Sequence, residues 1–178
     1  MPHIIIDGYN LIRQIPALAA RERISLQNGR DDLVALLARY KRVKAHSVTV
    51  VFDGVSDMSE FAPAQKQAGI NLRYSPTGVT ADEIIKQLAV VEKNQAVIVS
   101  SDRSVMTAAE RAGCATLTAQ EFYDRLLIAA FLDTTGFEKD ETENKTRRIH
   151  KRWTTKKKGA SHKRSKKERK KFVAVKKI

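Results

Sequence analysis

Short runs of apolar, mostly β-branched residues recur along this 178-residue chain: Ile4-Ile5-Ile6, Val48-Thr49-Val50-Val51-Phe52 and Val97-Ile98-Val99. They are nearly continuous rather than alternating, as in strands covered on both faces of a parallel sheet. Strands are expected over residues 3–7, 48–52, 70–74, 96–100 and 115–117. Helical patterns separate them. A helix follows the Gly8-Tyr9-Asn10 turn, and Leu33, Leu36, Leu37, Tyr40 and Val43 predict another over about residues 30–44. Thr80 and Glu83 form a capping box before a helix whose buried face would carry Ile84, Ile85, Leu88 and Val91. A helix over about residues 104–112 ends at Gly113, and a second capping box, Thr118 with Glu121, opens a last helix to about residue 132. Residues 57–67, with Pro63 inside, read as loop or irregular helix. This alternation implies right-handed crossovers and one α/β domain, residues 1–135, with helices on both faces of a parallel sheet.

Aspartates stand where these strands end or the next helices begin: Asp7, Asp53, Asp82 and Asp102. In an open parallel sheet such strand ends share one edge, where ligands bind. Carboxylates gathered there repel one another, and a hard cation, Mg²⁺ or Mn²⁺, relieves the repulsion. One or two such ions are the expected cofactor, with Asp7, Asp53, Asp82 and Asp102 as candidate ligands. The chemistry this favours is metal-assisted chemistry on phosphate. Asn10 reads as a donor to a phosphate or a metal-bound water, or as a helix cap; Arg103 reads as a contact to a substrate phosphate, or as a surface partner of Asp102. Asp53 reads as a fourth ligand, as a group that orients the ligands, or as a turn residue. Ser100 and Ser101 read as helix caps or as contacts to water.

Charge divides the chain. Residues 1–137 hold 15 Lys and Arg against 15 Asp and Glu; residues 138–178 hold 18 against 5, the whole net charge of +13. The basic residues come in blocks: Lys156-Lys157-Lys158, Lys163-Arg164, Lys166-Lys167 and Arg169-Lys170-Lys171. Residues 136–178 lack sustained apolar periodicity. They are expected to form a disordered arm that neutralises nucleic-acid phosphates without reading bases. Its apolar patch Phe172-Val173-Ala174-Val175 is a possible anchor, and Trp153 could stack on a base.

Other chemistry has little support. The four histidines do not cluster at metal-ligand spacing, and the one cysteine, Cys114, has no CxxC partner and reads as a small buried hydrophobe. Neither GxxxxGK[ST] nor GxGxxG occurs, so no nucleotide cofactor is expected, and there is no GxSxG elbow. No secretory signal pattern or membrane-length apolar run is visible, so a soluble cytoplasmic protein is expected.

Taken in order, Asp7-Gly8-Tyr9-Asn10-Leu11-Ile12, Val50-Val51-Phe52-Asp53-Gly54, Thr80-Ala81-Asp82-Glu83-Ile84-Ile85 and Ser100-Ser101-Asp102-Arg103 resemble the NYN domain of the PIN-like nucleases, in its YacP-like bacterial branch. The resemblance covers roughly residues 1–133; each motif alone is weak, and the ordered set is specific. It implies a Rossmann-like three-layer α/β/α sandwich and a metal-dependent endoribonuclease, in this branch one acting in ribosome-linked mRNA decay. It gives Asp7, Asp82 and Asp102 the core acidic roles and Asn10 a substrate- or water-positioning role. Asp53 matches a residue common in the branch but not across all NYN domains. The competing reading is a non-catalytic RNA- or ribosome-binding protein with a vestigial site. A DNA nuclease would use the same phosphate chemistry.

Overall fold

The computed structural model describes residues 1–54, 65–135, 175 and 178. The chain runs β1 (His3–Asp7), α1 (Gly8–Gln14), α2 (Pro16–Ile24), α3 (Leu26–Val43), β2 (Ser47–Phe52), β3 (Gln65–Gln67), β4 (Ile70–Tyr74) and α4 (Ala81–Glu92). After a 3₁₀ turn (Lys93–Gln95) come β5 (Ala96–Val99), α5 (Arg103–Ala112), β6 (Ala115–Leu117) and α6 (Ala119–Thr135). The strands form one sheet of order β3-β4-β2-β1-β5-β6. All neighbours are parallel except β3 and β4.

Central β1 pairs with β2 on one side and β5 on the other, so Ile4 faces both Val48 and Val97 in register. Side-chain alternation splits the core into two layers. Ile4, Ile6, Val48, Val50, Phe52, Val97 and Val99 pack with α1, α2, α3 and α6. Ile5, Val51 and Ile98 pack with α4 and α5. The expected α/β sandwich is the observed one.

Local departures from expectation have physical causes. The helical stretch after β1 is broken at Ile15, held extended (φ −108°, ψ 110°) because Pro16 follows it at the first position of α2. Helix α3 starts at Leu26, ahead of residue 30, because Ser25 caps it by accepting from the Asn28 N–H at 3.1 Å. Residues 65–67 form an edge strand rather than a loop. The Ala68-Gly69 turn has positive φ at both positions (50° and 81°), the geometry that joins twisted antiparallel strands, and Gln-Lys-Gln shows no apolar pattern because it is exposed. On α4 the buried stripe is Ala81, Ile85 and Ala89. Val91 lies about 200° round the helix from Ala89 and is 77% exposed, against expectation.

Cys114 is buried, as expected, and its thiol donates to the Ala89 carbonyl at 3.3 Å. Two residues far along the chain also reach the core. Ile178 is buried in the α3–α6 layer, with Val175 packed against it, and its carbonyl accepts from the Tyr40 hydroxyl at 3.4 Å. Among the described residues no helix is long and apolar enough to cross a membrane.

Candidate active site

The parallel strands all end on one edge, and each aspartate is set there by its own backbone surroundings. Asp7 closes β1 and caps α1: Oδ1 accepts from the Asn10 N–H at 3.1 Å. Its Oδ2 accepts from the Ser100 hydroxyl at 3.2 Å, and Ser100 Oγ accepts in turn from the Asp102 N–H at 3.1 Å. One serine at the end of β5 therefore ties Asp7 to the start of α5. Asp102 caps α5, with Oδ1 accepting from Ser104 N–H at 2.6 Å and Val105 N–H at 3.1 Å. Asp53, after β2, accepts the Ala81 N–H on Oδ1 at 2.7 Å and so anchors the start of α4. The predicted Thr80–Glu83 capping box is also formed there. Asp82, one residue further on, is thereby held at the same edge, half-buried.

Asn10 is locked from across the edge. Its Oδ1 accepts from the Ser101 N–H at 2.8 Å, which leaves its amide N–H₂ as the outward donor. Ser101 Oγ accepts from Ala119 N–H at 3.2 Å, so this serine serves α6. Gly54 donates its N–H to Ser75 Oγ at 2.8 Å, fastening the β2 end to the β4 end.

The charges interact as one cluster. Burial pushes the Asp7 carboxyl up from an ordinary 3.8 to about 6, and the negative charges of Asp82 and Asp53 add to the rise, opposed by the hydrogen bonds from Asn10 and Ser100. Asp82 is also raised, by burial first and then by Asp102 and Asp53, with Lys86 opposing. Asp102 is lowered by the Val105 and Ser104 N–H groups at the head of α5.

Lys86 was not singled out by the sequence. It lies one helical turn after Asp82, the spacing that would have marked it, and its Nζ hydrogen-bonds Ser104 Oγ at 2.9 Å. Arg103 is exposed at the first position of α5. The candidate RNA-binding residues Lys156, Lys157, Lys158, Lys163, Arg164, Lys166, Lys167, Arg169, Lys170 and Lys171 lie outside the described residues. His3 and His46 sit at the opposite edge, where β1 and β2 begin.

Among the described residues no three acidic, histidine or cysteine side chains converge into a ready-made metal cage. The donors nevertheless suit a hard cation. Asp53 and Asp102 commit only Oδ1 to backbone N–H groups, and the mutual repulsion at Asp7 and Asp82 favours a positive charge among them. Mg²⁺ commonly keeps several waters and takes only one or two carboxylates, so an open arrangement of this kind fits it.

The described fold has relatives. Two crystal structures of Rae1 (YacP) from Bacillus subtilis, one of a tryptophan-to-leucine mutant, superpose with TM-scores of 0.65 and 0.61, each at 24% identity. The matches cover 85% and 86% of this chain and 88% and 87% of those chains. At that identity the likeness is one of fold. The "Uncharacterized protein YacP" of Bacillus subtilis (strain 168) is 30% identical over 94 residues, 53% of this chain and 55% of that protein. The chain thus spans about half the length of the curated relative it matches. The family model of the YacP-like NYN domain matches residues 4–174, nearly the whole sequence. With that span, the chain belongs to the YacP-like NYN domain family.

Proposed function

We propose that this protein is a metal-dependent endoribonuclease that hydrolyses RNA phosphodiesters, in mRNA decay or ribosome-associated RNA processing. The observation that carries the reading is Asp7, a carboxyl only 7% exposed at the strand edge and raised to about 6 by burial and by the neighbouring Asp82 and Asp53. A buried carboxylate among like charges is costly in isolation and useful beside a cation.

One or two carboxylates from among Asp7, Asp82 and Asp102 would hold Mg²⁺ or Mn²⁺ directly and the rest through its waters, with Asp53 steadying Asp82 through the head of α4. When bound, such a cation lowers the pKa of water and offsets the charge that develops on the phosphoryl oxygens. The chain's own groups do the positioning. Ser100 fixes the Asp7 carboxylate. Asn10, oriented by the Ser101 N–H, offers its amide donor to a phosphate oxygen or to the attacking water. Lys86 on α4, bonded to Ser104 of α5, adds positive charge beside Asp82. Water as nucleophile yields 5′-phosphate and 3′-hydroxyl ends, a route that needs no histidine at this edge.

The test incubates the full chain with Mn²⁺ or Mg²⁺ and a long single-stranded RNA, beside a DNA strand of the same sequence. EDTA and an Asp7→Asn/Asp102→Asn double variant serve as controls. The expected result is internal RNA cuts that require the metal and vanish in the variant, while RNA binding persists. Equal cutting by the variant would overturn the site assignment. Tight, salt-sensitive binding without any cutting would favour the non-catalytic RNA- or ribosome-binding reading.

A further inference from the structure

The strand ends that carry aspartates towards α4 and α5 carry aromatic rings to the opposite face. Phe52 directly precedes Asp53, Tyr9 follows Asp7 by two residues, and Tyr74 precedes the Ser75 that fastens Gly54. The rings adjoin one another, Tyr9 edge-on to Phe52 at 5.2 Å between centroids and Phe52 stacked on Tyr74 at 5.7 Å.

Arg30 of α3 lies among them, only 7% exposed, its guanidinium 5.4, 5.5 and 5.3 Å from the centroids of Tyr9, Phe52 and Tyr74. Its Nε donates to the Tyr9 hydroxyl at 2.9 Å and its Nη2 donates to the same oxygen. No carboxylate among the described residues pairs with it. No acceptor among them takes the N–H groups of Nη1, and that atom is not sealed from solvent.

A guanidinium this deep is ordinarily matched by a carboxylate, because desolvating the charge is costly. Three rings offset part of that cost through cation–π attraction, and of the fork's N–H donors only those of Nε and Nη2 are used, on the Tyr9 hydroxyl. What remains is a planar, preorganised, open-edged cation with the geometry that recognises phosphate. It stands on the same sheet edge as the carboxylates and on the other side of the sheet, so a polyanionic strand crossing the edge passes both.

We infer that Arg30 is a substrate-binding residue: its open Nη1 edge takes a phosphate of single-stranded RNA neighbouring the one held at the aspartates, and Tyr9 is the positioning residue that aims it. This rests on the ribonuclease reading above. It adds a contact that the acidic cluster does not contain and orients the strand across the sheet edge.

The test measures binding of a short labelled single-stranded RNA to the full chain in EDTA, across a salt series, so that no cutting intervenes. Arg30→Met should weaken binding several-fold at low salt and reduce the magnitude of the log–log salt slope by about 0.7, the loss of one phosphate contact on a single strand. Arg30→Lys should keep the slope, since the charge remains. Thermal melts establish that the variants are folded. In the wild-type chain the Arg30 Nε–H resonance should shift on titration with the same oligonucleotide, a readout that does not depend on how any variant folds. A folded Arg30→Met chain with unchanged affinity and slope, or an unmoved resonance, would overturn the inference and leave Arg30 a structural residue. If wild-type protein shows no salt-dependent RNA binding, the ribonuclease reading fails and this inference with it.

Discussion

Asp7 stores free energy in its buried, crowded carboxyl. Its carboxyl is raised from 3.8 to about 6 chiefly by burial, so the folded chain keeps a proton that the unfolded chain has already lost. The stability Asp7 contributes is fully present below pH 3.8 and is lost as pH rises through about 6. At pH 7 the ionised group costs up to about 3 kcal/mol. Metal-free Asp7→Asn should therefore melt several degrees higher than wild type at pH 7 and equal to it near pH 4. Melting curves at the two pH values check this, and identical curves at pH 7 would show that Asp7 is not strained. Mn²⁺ should raise the wild-type Tm and leave the Asn variant unmoved. The sequence named Asp7 because it ends an apolar run. It could not show that Ser100, 93 residues away, would fix its second oxygen.

Asp53 shows how an element can carry a side chain to its place. Its Oδ1 holds the first N–H of α4, and Asp82 rides on that turn. Asp53→Asn keeps an acceptor oxygen and should retain cleavage within a few-fold. Asp53→Ala loses the anchor and should lower kcat by about 100-fold, the scale expected when a reacting group is misplaced by an ångström. If Asn and Ala fall equally, the charge itself is needed and Asp53 is a ligand. Thr80→Ala should cost about 1 kcal/mol from the capping box with little loss of cleavage while Asp53 remains. Gly54→Ala should be worse than either, because the added Cβ would run into the Ser75 carbonyl oxygen and push the β2 and β4 ends apart. An overpacked site of this kind costs about 1–3 kcal/mol, and thermal melts would measure it.

The molecule as a whole joins a neutral α/β body to a strongly basic segment. After α6 the chain carries 18 Lys and Arg against 5 Asp and Glu, yet Val175 and Ile178 lie back on the core beside Tyr40. Ile178→Ala should cost about 2–4 kcal/mol, and a denaturant midpoint equal to wild type would exclude that packing. Deleting residues 138–178 should remove both that packing and most salt-dependent RNA affinity. If the segment covers about six phosphates, its share of the slope is near −4. Cutting of short oligonucleotides should survive, because the carboxylates all lie before residue 103.

Local physics was enough to read most of the framework from the sequence. Continuous β-branched runs, 3.6-residue periodicity, two capping boxes and Gly113 at φ 96° locate most strands and helices and put the aspartates after strands or at helix starts. These signals depend only on near neighbours in the chain. Tertiary structure decided what those residues meet. Strand order and register brought Asp53 to α4 and Ser100 between Asp7 and Asp102. The exposed Gln65–Gln67 strand exists only because β4 offers it an edge. Arg30 gave no signal of its own, since a lone arginine near a helix start looks solvated until packing places Tyr9, Phe52 and Tyr74 around it. The Asp53, Ser100 and Arg30 contacts join groups separated by some 20 to 90 residues, where the free energy lies in desolvation and pairing across the fold rather than in local conformational preference.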